Sequence, residues 1–380
     1  MGKLENALVY RFRPEDGWPC FLGKAQLADS EFTTGYELVK EPQVRDPGYR
    51  RQTADEYLVF GAETMNGKDF DAEILVTLGR GEEAEVYTID RPATVRVPAG
   101  VWRGSVEFRR VGKPVFYQDM RMQDSAAPVE LAEGEPVTGA GNPAGKFKNL
   151  VFFNVAERAK GYFGQEFHEN TEKDAEGVGI RGACQIPGAK HYLGGGFTKQ
   201  AVRIDPFPHK HDHDEYLAFM GAPDSPFDMD VHIEMTLGLG EEAETFSVDQ
   251  PTIIRIPAGT WHCPLDFMRV DKPFFFEVVL QQGNFGGIYH MPDGDKPIYY
   301  NGMIDCILEP GKHCNTCQRC LQLEWDSFGK YTDKRSAAAG FPAAAQRGDK
   351  GLSPRCSKFF EQGIWKRSFE KLMIERERHP

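Results

Sequence analysis

Slid against itself by 159 positions, the chain matches along one long stretch without a gap. DEYLVF (55–60) lies on DEYLAF (214–219), TLGRGEEAE (77–85) on TLGLGEEAE (236–244), RVPAGVW (96–102) on RIPAGTW (255–261) and VGKP (111–114) on VDKP (270–273). Between Asp55 and Pro114, 28 of the 60 paired positions are identical, which low complexity does not explain. The chain is a duplication, so one copy cannot adopt a fold that the other forbids. A 159-residue period is too long for a solenoid unit, and each copy is expected to be a whole domain. A length of 380 residues accommodates two such domains and an appendage.

Each copy reads as β-structure. DFDAEILVTLG and DMDVHIEMTLG alternate and stop at glycine, and ATVRVPAG and TIIRIPAG are short β-branched strands stopped by Pro-Ala-Gly. Forty glycines and 25 prolines fit turn-rich sheets better than helical bundles. Closely spaced turns with no interleaved helical pattern predict a sandwich or barrel. The expected organisation is all-β. A first barrel spans 1–122, a linker 123–150, a second barrel 151–300, and a cysteine-containing tail 301–380 closes the chain. That tail is expected to end in a helix from near Ser353 and Pro354, with Ile364, Trp365, Phe369, Leu372 and Met373 on one face.

Formal charge is −12 and no Lys/Arg block forms a nucleic-acid footprint, which disfavours nucleic-acid partners. No apolar run reaches the ~18 residues that span a bilayer, and the first residues lack a signal-peptide core. A cytoplasmic protein without membrane partners is the expectation.

The second copy carries PHKHDHDEYL at 208–217. His209 and His211 are two apart, so both imidazoles leave the same face of an extended strand. Glu215 adds a carboxylate, and PAGTWH brings His262 from a distant strand. Three neutral nitrogens and one anionic oxygen suit a first-row divalent ion with positions left for substrate. His213 shares the parity of the other two, so parity alone leaves open which histidines form the pair.

These two stretches resemble the motifs of the cupin superfamily, HxHx(3–4)E and PxGxxH. The duplicated chain resembles a bicupin, two small barrels of the double-stranded β-helix or jelly-roll type. The resemblance covers roughly 30–120 and 190–280. It implies His209, His211, Glu215 and His262 as the ligands of one divalent metal (iron, manganese or zinc). His213 then falls to the rim, because a pair ending there leaves one residue before Glu215. Further candidates near the metal are Arg203, Tyr216, His232, Glu234 and Glu277. Cys263, beside His262, reads as a packed thiol.

In the first copy the four ligand positions hold Arg50, Gln52, Glu56 and Arg103. Arginine stays protonated and cannot coordinate an ordinary cation. The expectation is a buried ion cluster around Glu56, and one metal in the barrels per chain.

Five of eight cysteines lie in the tail: Cys306, Cys314, Cys317, Cys320 and Cys356. Cys314, Cys317 and Cys320 form a C-x2-C-x2-C run. It resembles part of a ferredoxin cluster motif but lacks the Cys-Pro that follows, and zinc is equally compatible.

The resemblance implies a metal-dependent enzyme acting on a small oxygenated organic molecule, such as a phenol, enol or dicarbonyl compound. Dioxygenase-type C–C cleavage is one expectation. A redox-neutral hydrolase, lyase, decarboxylase or isomerase is the alternative, and a non-catalytic metal- or ligand-binding or redox-sensing bicupin the second. An oxalate-decarboxylase-like protein is disfavoured, because such bicupins usually keep ligands in both barrels. Association into homo-oligomers through outer barrel strands is left open.

Overall fold

The computed structural model describes residues 2–16, 19–134, 145–153, 178–181, 186, 188–205, 208–281, 286–290 and 298–301; for 178–181, 202–205, 286–289 and 298–301 it describes the backbone alone. One short helix, α1 (Lys3–Leu8), precedes the strands. Those assigned to the first half are β2 (Cys20–Phe21), β3 (Thr33–Val39), β4 (Gln43–Arg45), β5 (Tyr49–Gln52), β6 (Glu56–Ala62), β7 (Ala72–Leu78), β8 (Glu85–Ile89), β9 (Ala93–Val97), β10 (Trp102–Val111), β11 (Val115–Arg121) and β12 (Val129–Ala132). The second half has β14 (Val178–Arg181), β15 (Tyr192–Thr198), β16 (Val202–Asp205), β17 (His209–Lys210), β18 (Glu215–Met220), β19 (Val231–Leu237), β20 (Glu244–Val248), β21 (Thr252–Ile256), β22 (His262–Val270), β23 (Phe274–Leu280), β24 (Gly286–Tyr289) and β25 (Ile298–Asn301). Two further short strands, β1 (Val9–Arg11) and β13 (Val151–Phe153), cross between the halves.

Each half is a pair of facing antiparallel sheets. In the first, β12-β5-β10-β7-β8, with β4 added to β10, faces β13-β9-β6-β11-β3-β2. In the second, β20-β19-β22-β17-β24-β25, with β16 added to β22, faces β1-β21-β18-β23-β15-β14. The all-β, two-barrel expectation therefore holds.

Alternation along the strands builds three cores. On β18, Leu217 and Phe219 point into the second barrel, whereas Tyr216, Ala218 and Met220 point out of it. On β6, Leu58 and Phe60 enter the first barrel while Tyr57 and Val59 leave it. The outward sets meet in a third core between the halves, so β6 and β18 are buried at every residue. The two halves pack back to back. Equivalent residues meet at the centre: Phe116 and Phe275, 159 apart, have ring centroids 5.2 Å apart, and Gln118 Nε2 donates to Glu277 Oε2 at 2.8 Å, again 159 apart. Full burial of one such phenylalanine contributes about 1.5–3 kcal/mol.

The halves also exchange arms. β1 adds to β21 with Val9 opposite Ile254, and β13 adds to β9 with Val151 opposite Val95, the repeat equivalent of Ile254. Ahead of each arm a glutamate receives backbone N–H groups. Glu244 accepts from Lys3 (2.8 Å), Leu4 (2.8 Å) and Glu5 (3.1 Å), and its equivalent Glu85 accepts from Lys146 (2.7 Å) and Phe147 (3.0 Å).

These arms revise the sequence-based boundaries. Residues 9–11 belong to a sheet of the second barrel and 151–153 to a sheet of the first. The stretch expected to be a linker over 123–150 contributes β12, which pairs with β5. The tail beyond Asn301, with its five cysteines and its expected helix, lies outside the described residues. No helix among the described residues is long and apolar enough to cross a membrane.

Candidate metal centre

His209 begins β17 and His262 begins β22, and the two face each other directly across the ladder. Glu215 begins β18 on the opposing sheet, sharing the inward parity of Leu217 and Phe219. His211 lies just past β17. Their ligand atoms all fall within 4.8 Å of one another, and all four residues are buried, at 1–3% exposure. The rings of His209 and His262 have centroids 4.1 Å apart, and those of His209 and His211 5.0 Å.

The Pro-Ala-Gly turn sets this geometry. Thr260 N–H donates to Pro257 O at 3.0 Å, and Gly259 sits at φ +79°, the left-handed conformation that glycine adopts without penalty. Gly259 N–H then donates to His211 O at 2.7 Å, tying the turn to the histidine segment. Asp214 braces the same corner, accepting from Ala258 N–H at 3.0 Å and from Arg255 Nε at 2.8 Å. The first barrel repeats the brace with Asp55, Ala99 and Arg96 at 3.0 and 2.8 Å. Sequence reasoning missed this pair, although both copies keep Asp and Arg at the matching positions.

The donor set fits a cation. His262 Nδ1 lies 3.1 Å from Thr260 O, a carbonyl that can only accept, so Nδ1 carries the proton and Nε2 presents its lone pair inward. Nε2 lies 2.9 Å from Glu215 Oε2, yet neither atom has a hydrogen-bond partner of acceptable geometry. Buried polar atoms rarely stay unsatisfied, and two electron-rich atoms aimed at one point ask for a positive charge between them. Burial alone would push the Glu215 carboxyl up, but positive charge at the His262 and His211 positions outweighs it and holds the carboxyl well below its ordinary range, as a cation there would too.

The other candidates scatter. His213 is close, its ring stacked on His211 at 5.1 Å and its Nδ1 2.9 Å from Asp212 Oδ1. Tyr216 and Glu277 do not line the barrel, because their strands turn them toward the first half. Tyr216 packs on Phe32 at 4.7 Å and its hydroxyl donates to Ser30 Oγ at 3.3 Å. Glu277 accepts from Tyr36 OH at 2.6 Å as well as from Gln118. His232 and Glu234 face outward, 3.5 Å apart, since the intervening Ile233 and the flanking Val231 and Met235 take the inner face of β19. The backbone of Arg203 pairs with Asp266, and its side chain lies outside the described residues. Cys263 is buried in the second barrel's core.

In the first barrel, Arg103 grips Glu56 with two hydrogen bonds, Nε to Oε2 at 2.9 Å and NH2 to Oε1 at 3.0 Å. The same guanidinium donates to Gly104 O at 3.0 Å and Asp46 Oδ2 at 2.8 Å. Arg50 is ion-paired to Asp46 and lies 3.7 Å from Glu56. The expected ion cluster is present, and each carboxylate has a cationic neighbour.

No family model matches this chain, and no curated protein matches it. Among solved structures it is similar to a point mutant of Bacillus subtilis oxalate decarboxylase OxdC, at 10% identity and a TM-score of 0.47, with 74% of this chain and 79% of that chain covered. It is likewise similar to Bacillus subtilis oxalate decarboxylase at pH 4.6, at 11% identity and a TM-score of 0.46, with 74% of this chain and 78% of that chain covered.

Proposed function

We propose that the second barrel is the metal centre of an enzyme that acts on a small oxygenated organic molecule, a phenol, enol or dicarbonyl compound, by dioxygenase-type C–C cleavage. The observation that supports a metal centre is the pairing of Glu215 Oε2 and His262 Nε2, buried and without hydrogen-bond partners, inside a four-residue group of metal-ligand type; the oxygen-dependent chemistry rests on the resemblance of the two motifs. His209, His211, Glu215 and His262 hold the ion, and the ion when bound supplies Lewis-acid stabilisation of oxyanion character in the substrate. The Thr260 carbonyl fixes the His262 tautomer, and Asp214 with Arg255 holds the turn that carries it. His213, whose ring stacks on His211, would contact a substrate bound beside the ion. The apolar side chains of Leu237, Ile256 and Leu280, cross-strand neighbours of the ligands, keep water from the inner side.

Redox-neutral lyase or hydrolase chemistry uses the same ligand set, and the test separates the two. Protein purified without air is assayed with catechols, flavonoids and β-diketones after loading with Fe(II), Mn(II) or Zn(II). Substrate-dependent oxygen uptake is expected and should vanish in His262→Ala. Turnover without oxygen consumption assigns the redox-neutral chemistry instead, and full activity of His262→Ala refutes the site.

A further inference from the structure

The position in the first barrel that corresponds to the metal centre leaves several buried polar atoms without a hydrogen-bond partner. Arg103 satisfies one edge of Glu56, but the groups on the other side stand off. Arg50 NH1 lies 3.7 Å from Glu56 Oε1 and 3.7 Å from Asp119 Oδ2, and Arg121 Nε lies 3.9 Å from Glu56 Oε1. These distances are too long for direct hydrogen bonds, and Arg50 NH1 is left without one.

Other buried polar atoms of this barrel are short of partners too. Arg50 NH1, Asp119 Oδ1, Tyr117 OH and Gln52 Nε2 are all buried without a hydrogen-bond partner. Tyr117 and Gln52 are only 5% and 6% exposed. Tyr117 and Asp119 share the inward parity of β11, and the charges acting on the Tyr117 hydroxyl are those of Asp119, Arg103, Glu56 and Asp46. Gln52 stands where the second barrel has His211, and Tyr117 and Asp119 stand where it has Phe276 and Val278. The two barrels have diverged in complementary ways. One has imidazoles against an apolar wall, the other has guanidinium, phenol and amide donors against a polar wall.

We propose that the first barrel binds a neutral hydroxyl-bearing guest at the position of the second barrel's metal centre, one oxygen accepting from Arg50 NH1 and Tyr117 OH and donating to Asp119 Oδ1. Three cations (Arg50, Arg103, Arg121) balance three anions (Asp46, Glu56, Asp119), so an ionic guest would leave a net charge in a buried site. A hydroxyl oxygen both accepts and donates at one atom, as the mixed set of unpartnered atoms requires. Two sources share this chemistry, ordered water and a small polyol. The site stands apart from the chemistry of the second barrel.

The test is a high-resolution crystal structure of the full chain grown without polyols, together with thermal-shift titrations using ethylene glycol, glycerol and erythritol. An ordered oxygen within about 3.2 Å of Arg50 NH1 and Asp119 Oδ1 supports the site. A saturable stabilisation by a polyol, weakened about tenfold in Asp119→Asn, identifies the polyol as the guest. A non-saturating response alongside the ordered oxygen identifies water. Tyr117→Phe keeps the ring, and the guest oxygen should lose one donor and shift or weaken in density. Arg50 closing directly onto Glu56 or Asp119 with no oxygen between them overturns the proposal, as does a metal or anion in the gap.

Discussion

Glu56 and Glu215 occupy one repeat position and differ only in company. Glu56 has a guanidinium aligned on both its oxygens, and Glu215 has imidazoles that approach without aligning. Removing the partner alone, as in Arg103→Met, should cost about 3–5 kcal/mol in chemical denaturation, because it leaves a buried carboxylate uncompensated. Arg103→Met combined with Glu56→Leu should recover most of that loss; a double variant as unstable as the single would show that the pair is not the source. A third glutamate behaves differently. Burial pushes the Glu277 carboxyl up to about 7, against the hydrogen bonds from Tyr36 and Gln118 that lower it. The folded protein therefore holds a proton that the unfolded chain releases near its ordinary value of 4.5. The stability this provides is full below pH 4.5 and is lost as pH rises to about 7, a fall of about 2–3 kcal/mol. Denaturation curves at pH 5 and pH 8 should show the difference in the wild type and lose most of it in Glu277→Gln. An unchanged pH slope in the variant would assign it to another group.

Among the elements, the long alternating strands were legible and the short ones were not. β19 declares its inner face through Val231, Ile233, Met235 and Leu237, and the structure follows that pattern. β1 and β13 have three residues each, too few for periodicity, and their pairing with the other half leaves no local signal. β18 and β23 are buried on both faces, so the sequence could not tell which alternate residues look into the barrel; Tyr216 and Glu277 were misplaced for that reason. The His/Glu group was legible because its four residues fall within two short motifs, PHKHDHDEYL and PAGTWH. The Asp214–Arg255 brace was visible in principle, since the repeat keeps both residues. The exchanged arms carry their own expectation. Glu244→Ala removes three acceptor contacts from the start of α1 and should raise amide hydrogen exchange at Val9–Arg11 by about tenfold or more while leaving β13 protected. Equal deprotection of both arms would mean that the glutamates do not anchor them separately.

At the scale of the whole molecule, the shared core and the reciprocal arms join the barrels into one body rather than two beads. Thermal unfolding of the metal-free chain should show one cooperative transition for both barrels, and Phe275→Ala, at the centre of the shared core, should lower it by about 3–5 kcal/mol without splitting it. Two separated transitions would place the main cohesion inside each barrel. The duplication thus supplied two equal shells, whose interiors then parted. The second keeps imidazoles at these positions, and the first has arginine at two of them. Anomalous diffraction from metal-loaded crystals, collected above and below the absorption edge of the loaded ion, locates metal without regard to the cysteine tail. The account predicts a single barrel peak per chain, ringed by His209, His211, Glu215 and His262, and no peak beside Glu56. A peak in the first barrel, or none among those four side chains, would contradict it.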